Sequence, residues 1–301
     1  MKLSGLTFVF SVCIIMMFSL PDTVDAQRNI ERNLILNPLA DTETGMDYGE
    51  SAYFSSVGGW ASFGNYGLQR DEHHLWYHEL GTYLELYRVE GERNLIFTTQ
   101  IEFIADPHND INFNPRAIYW EEGFLFTRNI NDAYLQLGLY HRCKHDIDNL
   151  RLEEERSITF GGPMIRMLIP FSIQNENDAK LGVRADHYLI SWEGRIPREM
   201  EEISPNWGEM SFSGQINFNW KVPVGTHSNM HFSGYGMATA VEAEPAYNGR
   251  IQVEIGHEFG RADARFGIFT EYLHDSGIPA EPSDATLVGV GIRAMTAGGL
   301  R

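Results

Sequence analysis

Beyond Leu20 the chain has no apolar run long enough to cross a bilayer as a helix, so any membrane residence must come from strands. Cysteine is almost missing: only Cys13 and Cys143 occur. Cys13 lies in an uncharged apolar run from Leu6 to Leu20, preceded by Lys2 and followed by Pro21 and Val24-Asp25-Ala26 ahead of Gln27. That layout is a secretory signal peptide, expected over residues 1–26. No lipoprotein cleavage box surrounds Cys13, so Cys143 becomes the single thiol of the mature chain. A stapling disulfide is thereby excluded, although an exported protein would permit one.

Positive charge is also scarce. Lys and Arg total 23 against 41 Asp and Glu, a formal charge of −18 at pH 7. Losing Lys2, Asp22 and Asp25 with the leader leaves −17. Nucleic acid needs clustered cations to meet its phosphates, so it is excluded as a partner. Helical periodicity is nearly absent, and so are Gly-x-Ser-x-Gly and any EF-hand spacing. Gly58-Gly59 and Gly256–Gly260 do not open a helix and are not phosphate loops.

What the chain does have is alternation. Twelve segments of period two are read at Ala52–Leu68, Leu75–Val89, Asn94–Ala105, Arg116–Arg128, Asp132–Asp146, Ser157–Ile173, Lys180–Glu193, Glu209–Val222, Asn229–Val241, Gly249–Gly260, Ala264–His274 and Ala285–Ala297. Tight polar turns (Gly91–Arg93, Asn129–Asn131, Gly260–Asp263) alternate with longer links at Asp106–Pro115, Ile147–Arg156, Arg195–Gly208 and Ser276–Asp284. That rhythm predicts an all-β fold, an antiparallel up-and-down transmembrane β-barrel of about 12 strands over residues 52–301. Residues 27–51 are then a periplasmic lead, or a segment tucked into the barrel mouth. A soluble sandwich shares the alternation, but signal peptide, loop asymmetry and aromatic strand ends favour the cell outer membrane. At this strand number side chains can fill the interior, which argues against a wide porin. Two features run against the barrel: the ending Gly298-Gly299-Leu300-Arg301 lacks a terminal aromatic, and Trp120-Glu121-Glu122-Gly123 puts a carboxylate on each face.

The chemistry concentrates in Tyr134–His145. Read two by two, Leu135, Leu137 and Leu139 share the lipid-facing side with His141, Cys143 and His145, near the outer leaflet. Gln136, Tyr140, Arg142 and Lys144 face inward, toward carboxylates such as Glu85, Glu102 or Glu121. His141 stands beside Cys143 and can activate it as a nucleophile, given a third group to fix the imidazole. Glu155 is the candidate for that third role; Asp146, Asp148 and Asn149 lie nearer in sequence.

His141, Cys143 and Glu155 match the spacing of the His-x-Ser pair and following Asn or Glu in outer-membrane phospholipase A and the lipid A 3-O-deacylases, which this segment resembles. The resemblance implies an acyl hydrolase or transferase working on outer-membrane lipid, phospholipid or lipid A, with Cys in place of Ser. Tyr140, His141, His145 and Asp148 also resemble the Tyr-His-x-Ser-Ser-His-x-x-Asp segment of a family of bacterial outer-membrane proteins. That likeness implies an exported barrel and brings no activity. A non-catalytic envelope barrel is the other reading, with His and Cys as ordinary wall residues.

His141, Cys143, His145 and Asp146 also offer metal ligands along one strand. No cofactor is called for by the sequence, although acidic exterior loops around Asp71, Glu72, Glu79, Asp106, Asp110, Asp146 and Asp148, with His73, His74, His78 and His108, have the oxygen donors calcium uses. His187 and His274 are expected to face outward near strand ends. Nothing in the sequence sets an oligomeric state.

Overall fold

The computed structural model describes residues 36–42, 44–66, 76–106, 114–146, 155–173, 177–196, 210–241, 245–259, 264–275 and 285–299. A four-residue helix, α1 (Pro38–Asp41), comes first. The strand segments follow as β1 (Ser51–Tyr53), β2 (Ser56–Asn65), β3 (Trp76–Val89), β4 (Arg93–Asp106), β5 (Asn114–Ile130), β6 (Ala133–Asp146) and β7 (Glu155–Ile173). The rest are β8 (Asn177–His187), β9 (Ile190–Ile196), β10 (Met210–Gly225), β11 (Ser228–Val241), β12 (Ala246–Phe259), β13 (Ala264–Asp275) and β14 (Ala285–Gly299). Every neighbouring pair is antiparallel, and the order β3-β2-β14-β13-β12-β11-β10-β8-β7-β6-β5-β4 returns to β3. The sheet is closed, a 12-stranded barrel. Closure leaves the ring of paired strands without an open end, which is what a spanning β structure requires, while β9 pairs with β7 alone among the described residues.

Two of the twelve strands are broken, which accounts for the extra segments. β1 and β2 both pair with β3, interrupted where Phe54 takes φ +54. The break is pinned by Glu85, whose Oε2 accepts from Ser55 Oγ at 2.8 Å and Ser56 Oγ at 2.7 Å. β8 and β9 both pair with β7, and the pairing steps by one residue between Met164↔Asp186 and Gly161↔Ile190. The extra residue is a β-bulge at Tyr188-Leu189. Leu189 N donates to Gly161 O (2.9 Å), and Tyr188 turns inward against Phe160. Gly162 makes the bulge possible, because a Cβ there would collide with the His187 carbonyl.

One expected turn moves. Asn129 and Ile130 stay in the ladder opposite Tyr134 and Ala133, and the reversal is made by Asn131 and Asp132 at φ +50 and +68. Two successive positive φ values are the signature of a type I′ hairpin, and Asn and Asp tolerate them.

Inside, large and small residues interlock. Trp60 fills the space above Gly81, and Tyr83 fills the space above Gly58. Apolar layers form around Tyr66, Tyr77, Ile104, Tyr119 and Leu273, and around Trp60, Tyr83, Ile96 and Leu125. Between them run buried ion pairs, among them Arg142–Glu102, Arg184–Asp186 and Arg250–Glu271. Side chains fill much of the lumen, and a cavity of about 700 Å³ remains beside α1. The outer wall is the reverse: Leu139, Ile165, Phe212, Ile216, Ile255, Ile268 and Val290 stand exposed. That is the apolar belt of a membrane barrel.

The lead segment enters the mouth. Leu36 packs against the Trp60 layer, and Gln136 Nε2 donates to Leu36 O at 2.9 Å. Asp41 pairs with Lys180 on β8. Fully buried Arg88 donates to Leu39 O (2.8 Å), Thr42 O (3.2 Å) and Pro38 O (3.3 Å). The Leu39 and Thr42 carbonyls are ones a one-turn helix leaves without intrahelical partners, while Pro38 O also accepts from Thr42 N at 3.0 Å.

Candidate active site on the outer wall

β6 alternates as its sequence predicts. Gln136, Arg142 and Lys144 are buried inside; Leu137 and Leu139 are exposed outside; His141, Cys143 and His145 continue that outward face. The inner set is structural. Arg142 meets Glu102 at 3.2 Å and Glu121 at 3.0 Å, while Lys144 Nζ sits 4.6 Å from the centre of the Tyr119 ring. Glu85, expected as a partner for this set, is instead committed to Ser55, Ser56, Arg88 and Asn94 near the opposite end of the barrel.

Strand pairing arranges the outer set in rows. Glu122 of β5 lies opposite His141, which lies opposite Gly161 of β7. One pair of positions further along, Trp120, Cys143, Thr159 and Trp192 form a row across β5, β6, β7 and β9. Beyond it, Ile118, His145 and Ser157 align.

Within this patch His141 Nδ1 lies 2.8 Å from Glu122 Oε1, with the two side chains 38% and 39% exposed. Glu122 Oε2 has no hydrogen-bond partner. Ser157 Oγ lies 2.7 Å from His145 Nδ1. Cys143 is a half-buried free thiol between the two tryptophan positions. The carboxylate on the outer face of β5 is therefore not stranded: it is matched to His141 across the strand boundary. Trp120 and Trp192 flank this row, and tryptophan is a residue enriched at the headgroup level of membrane proteins.

The other predicted positions separate. Glu155 pairs with Ile196, four residues past Thr159, the partner of Cys143. At the usual rise that is about 13 Å further toward the rim. The structure brings Glu122 to His141, and the Glu155 side chain lies outside the described set. Asp146 ends β6 opposite Ala117, with its side chain outside the described set; Asp148 and Asn149 lie outside the described residues altogether. Among the described residues no three His, Cys, Asp or Glu side chains group closely enough to hold a metal ion. His141 and His145 are each engaged by a different partner.

Of the loop set, Asp71, Glu72, His73, His74, His108 and Asp110 lie outside the described residues, as does the Asp106 side chain. Glu79 is corrected from rim to interior: it accepts from Trp60 Nε1 and Tyr77 Oη, both at 2.8 Å. His78 faces out, stacked on Phe103 at 4.4 Å between ring centres. His187 is exposed and approaches Ser211 O at 3.1 Å; the His274 side chain is not among those described.

No known family profile matches the chain, and neither does any curated protein. Among solved structures it is similar to the β domain of the Bordetella autotransporter Brka, at TM-score 0.45 and 8% identity over 84% of this chain and 100% of that one. LpxR from Salmonella typhimurium gives TM-score 0.42 and 9% identity over 81% and 99% of the two chains. The KdgM porin gives 0.41 and 6% over 82% and 99%.

Proposed function

We propose that the chain is an integral outer-membrane barrel that works at its outer wall, as an acyl hydrolase or transferase on membrane lipid. Cys143 is the nucleophile, His141 the base and Glu122 the group that orients the base. The observation that carries this reading is the 2.8 Å pair between His141 Nδ1 and Glu122 Oε1. It occupies one imidazole nitrogen with a carboxylate and leaves Nε2 for the thiol of the next outward residue on the same strand. A bare His–Glu pair on a lipid-facing wall is costly, which favours a working role over a structural one.

The chemistry follows from these positions. His141 takes the thiol proton, and Cys143 Sγ attacks the ester carbonyl of an acyl chain lying along the wall. The tetrahedral intermediate collapses, the alcohol leaves with the proton from His141, and a thioester remains on Cys143. Water, or a second lipid hydroxyl, then takes the acyl group and restores the thiol. Thr159, directly opposite Cys143, offers a hydroxyl toward the developing oxyanion.

Fatty-acid release from mixed micelles of phospholipid or lipid A tests the reading, with wild type, Cys143→Ala, His141→Ala and Glu122→Gln compared. Release by wild type, abolished by the first two and reduced about 10²-fold or more by the third, is expected. An acyl adduct on Cys143 seen by mass spectrometry would identify the intermediate. Neither release nor adduct from wild type leaves the non-catalytic envelope barrel.

A further inference from the structure

In the half of the barrel near the short turns, a cavity of about 700 Å³ lies beside α1, lined by β10 to β14 on one side and by residues of β2, β3 and β6 to β8 on the other. Lys221, His231, Arg265, Arg293 and Met295 are among its walls. The charges there do not balance in the usual pairwise way. Lys221 has Glu258 at 2.8 Å, and Arg250 has Glu271 at 3.2 Å. Arg265 and Arg293 share a single carboxylate: Glu254 lies 2.9 Å from Arg265 Nε and 3.1 Å from Arg293 Nη1. Two guanidiniums on one carboxylate leave hydrogen-bond donors in excess of acceptors at this wall, while buried Glu79, which also attracts Arg250 and Arg293, brings the nearby formal charges into balance.

The spare donors show where the excess points. Arg265 Nη1 lies 3.0 and 2.9 Å from the two ring nitrogens of His231, and Nη2 donates to the thioether of Met295 at 2.9 Å. An imidazole and a thioether are poor partners for a guanidinium. Arg293, 4% exposed, spends Nε on Ser62 and Nη1 on Gln252 and Glu254, and its Nη2 has no partner. Two glycines keep this arrangement open. A Cβ on Gly256 would lie 2.7 Å from Arg265 Cδ, and one on Gly267 would run into the Glu254 carboxyl.

We propose that this cavity binds a small soluble anion, a carboxylate or phosphate compound, between Arg265 and Arg293. The guanidinium fork matches both oxyanion geometries, and the oxygens of such an anion would accept from the donors left over. The volume is that of a small-molecule pocket. The site lies inside the wall, so a lipid headgroup in the bilayer does not reach it, and it is independent of the outer-wall patch.

Calorimetric titration of the detergent-folded barrel tests this with inorganic phosphate and succinate as probes and chloride as the ionic-strength control. Saturable binding of phosphate or succinate is expected, weakened at least about 10-fold by Arg265→Gln. Glu254→Gln frees both guanidiniums and is expected to tighten binding about 10-fold, a gain that a purely structural ion-pair network would not produce. If Glu254→Gln closes poorly, phosphate should restore its heat-modifiable folded band. Heats equal to chloride for both probes overturn the proposal, as do unchanged affinities in both variants or a poorly closed Glu254→Gln that phosphate does not restore.

Discussion

Arg88 Nη2 donates to the carbonyl of Leu39 at 2.8 Å, tying β3 to a residue 49 positions earlier. The same guanidinium reaches Glu85 at 3.2 Å and Glu90 at 3.0 Å, so one buried cation joins the mouth of the barrel to the segment lying in it.

Arg88→Gln is expected to cost about 3–5 kcal/mol, since it orphans buried Glu85 as well as the α1 carbonyls. Urea unfolding in detergent, followed by the heat-modifiable gel shift, measures it. Limited proteolysis of the variant should cut within residues 36–50 well before the barrel opens. Simultaneous loss of both would mean the segment and the wall unfold as one unit.

The free thiol of Cys143 reports which way β6 faces. In intact membrane vesicles Cys143 should react with an apolar maleimide and resist a charged one, because Trp120 stands directly opposite it and Leu139 lies further along the same outward face. Rapid labelling by the charged reagent would put the thiol on a water-filled side and reverse the assignment of faces.

Gly81→Val should be damaging out of proportion to its size. Trp60 occupies the place of the added Cβ, and its Nε1 is held by Glu79, so the indole cannot swing aside without breaking a buried hydrogen bond. Overpacking of this kind costs about 1–3 kcal/mol. The fluorescence of Trp60 should shift toward that of a wetter indole, a comparison best made in a variant lacking the other tryptophans.

Deleting Leu189 removes the extra residue of the bulge and puts β8 and β9 in one continuous register. Gly161↔Ile190 and Thr159↔Trp192 then follow Met164↔Asp186 without a step, so β9 keeps its faces and Trp192 stays outside. The deletion is expected to retain the heat-modifiable folded form, with Trp192 still quenched by lipid-borne bromine. Loss of the folded form would refute that account.

Alternation along the chain was enough to locate all twelve strands to within a few residues, because a wall with lipid on one side and packed side chains on the other enforces period two. It could not locate the break at Phe54, where a bulky residue takes a positive φ with no glycine to announce it. Nor could it reveal the bulge at Tyr188-Leu189, which depends on what β7 and β10 offer on either side. The outward set His141, Cys143 and His145 was legible for the same reason as the strands. Its carboxylate was not. Glu122 looked like a flaw in β5, and only the register between β5 and β6, a long-range property, turns it into the partner of His141. Glu155 was chosen on spacing along the chain, and pairing across β7 carries it toward the rim instead.

The occupied mouth also limits how the molecule can be assembled. The seam between β2 and β14 joins residues 56–65 to 290–299, the most distant neighbours in the chain. Gln136 and Lys180 grip the lead segment from strands that lie well before that seam in order of synthesis. Whatever machinery zips the final pair must therefore either close the cylinder around a core already seated or drive an unfolded peptide up through a finished ring. The first route needs no gap in the wall, and it makes residues 36–42 a template for the cylinder as well as its stopper.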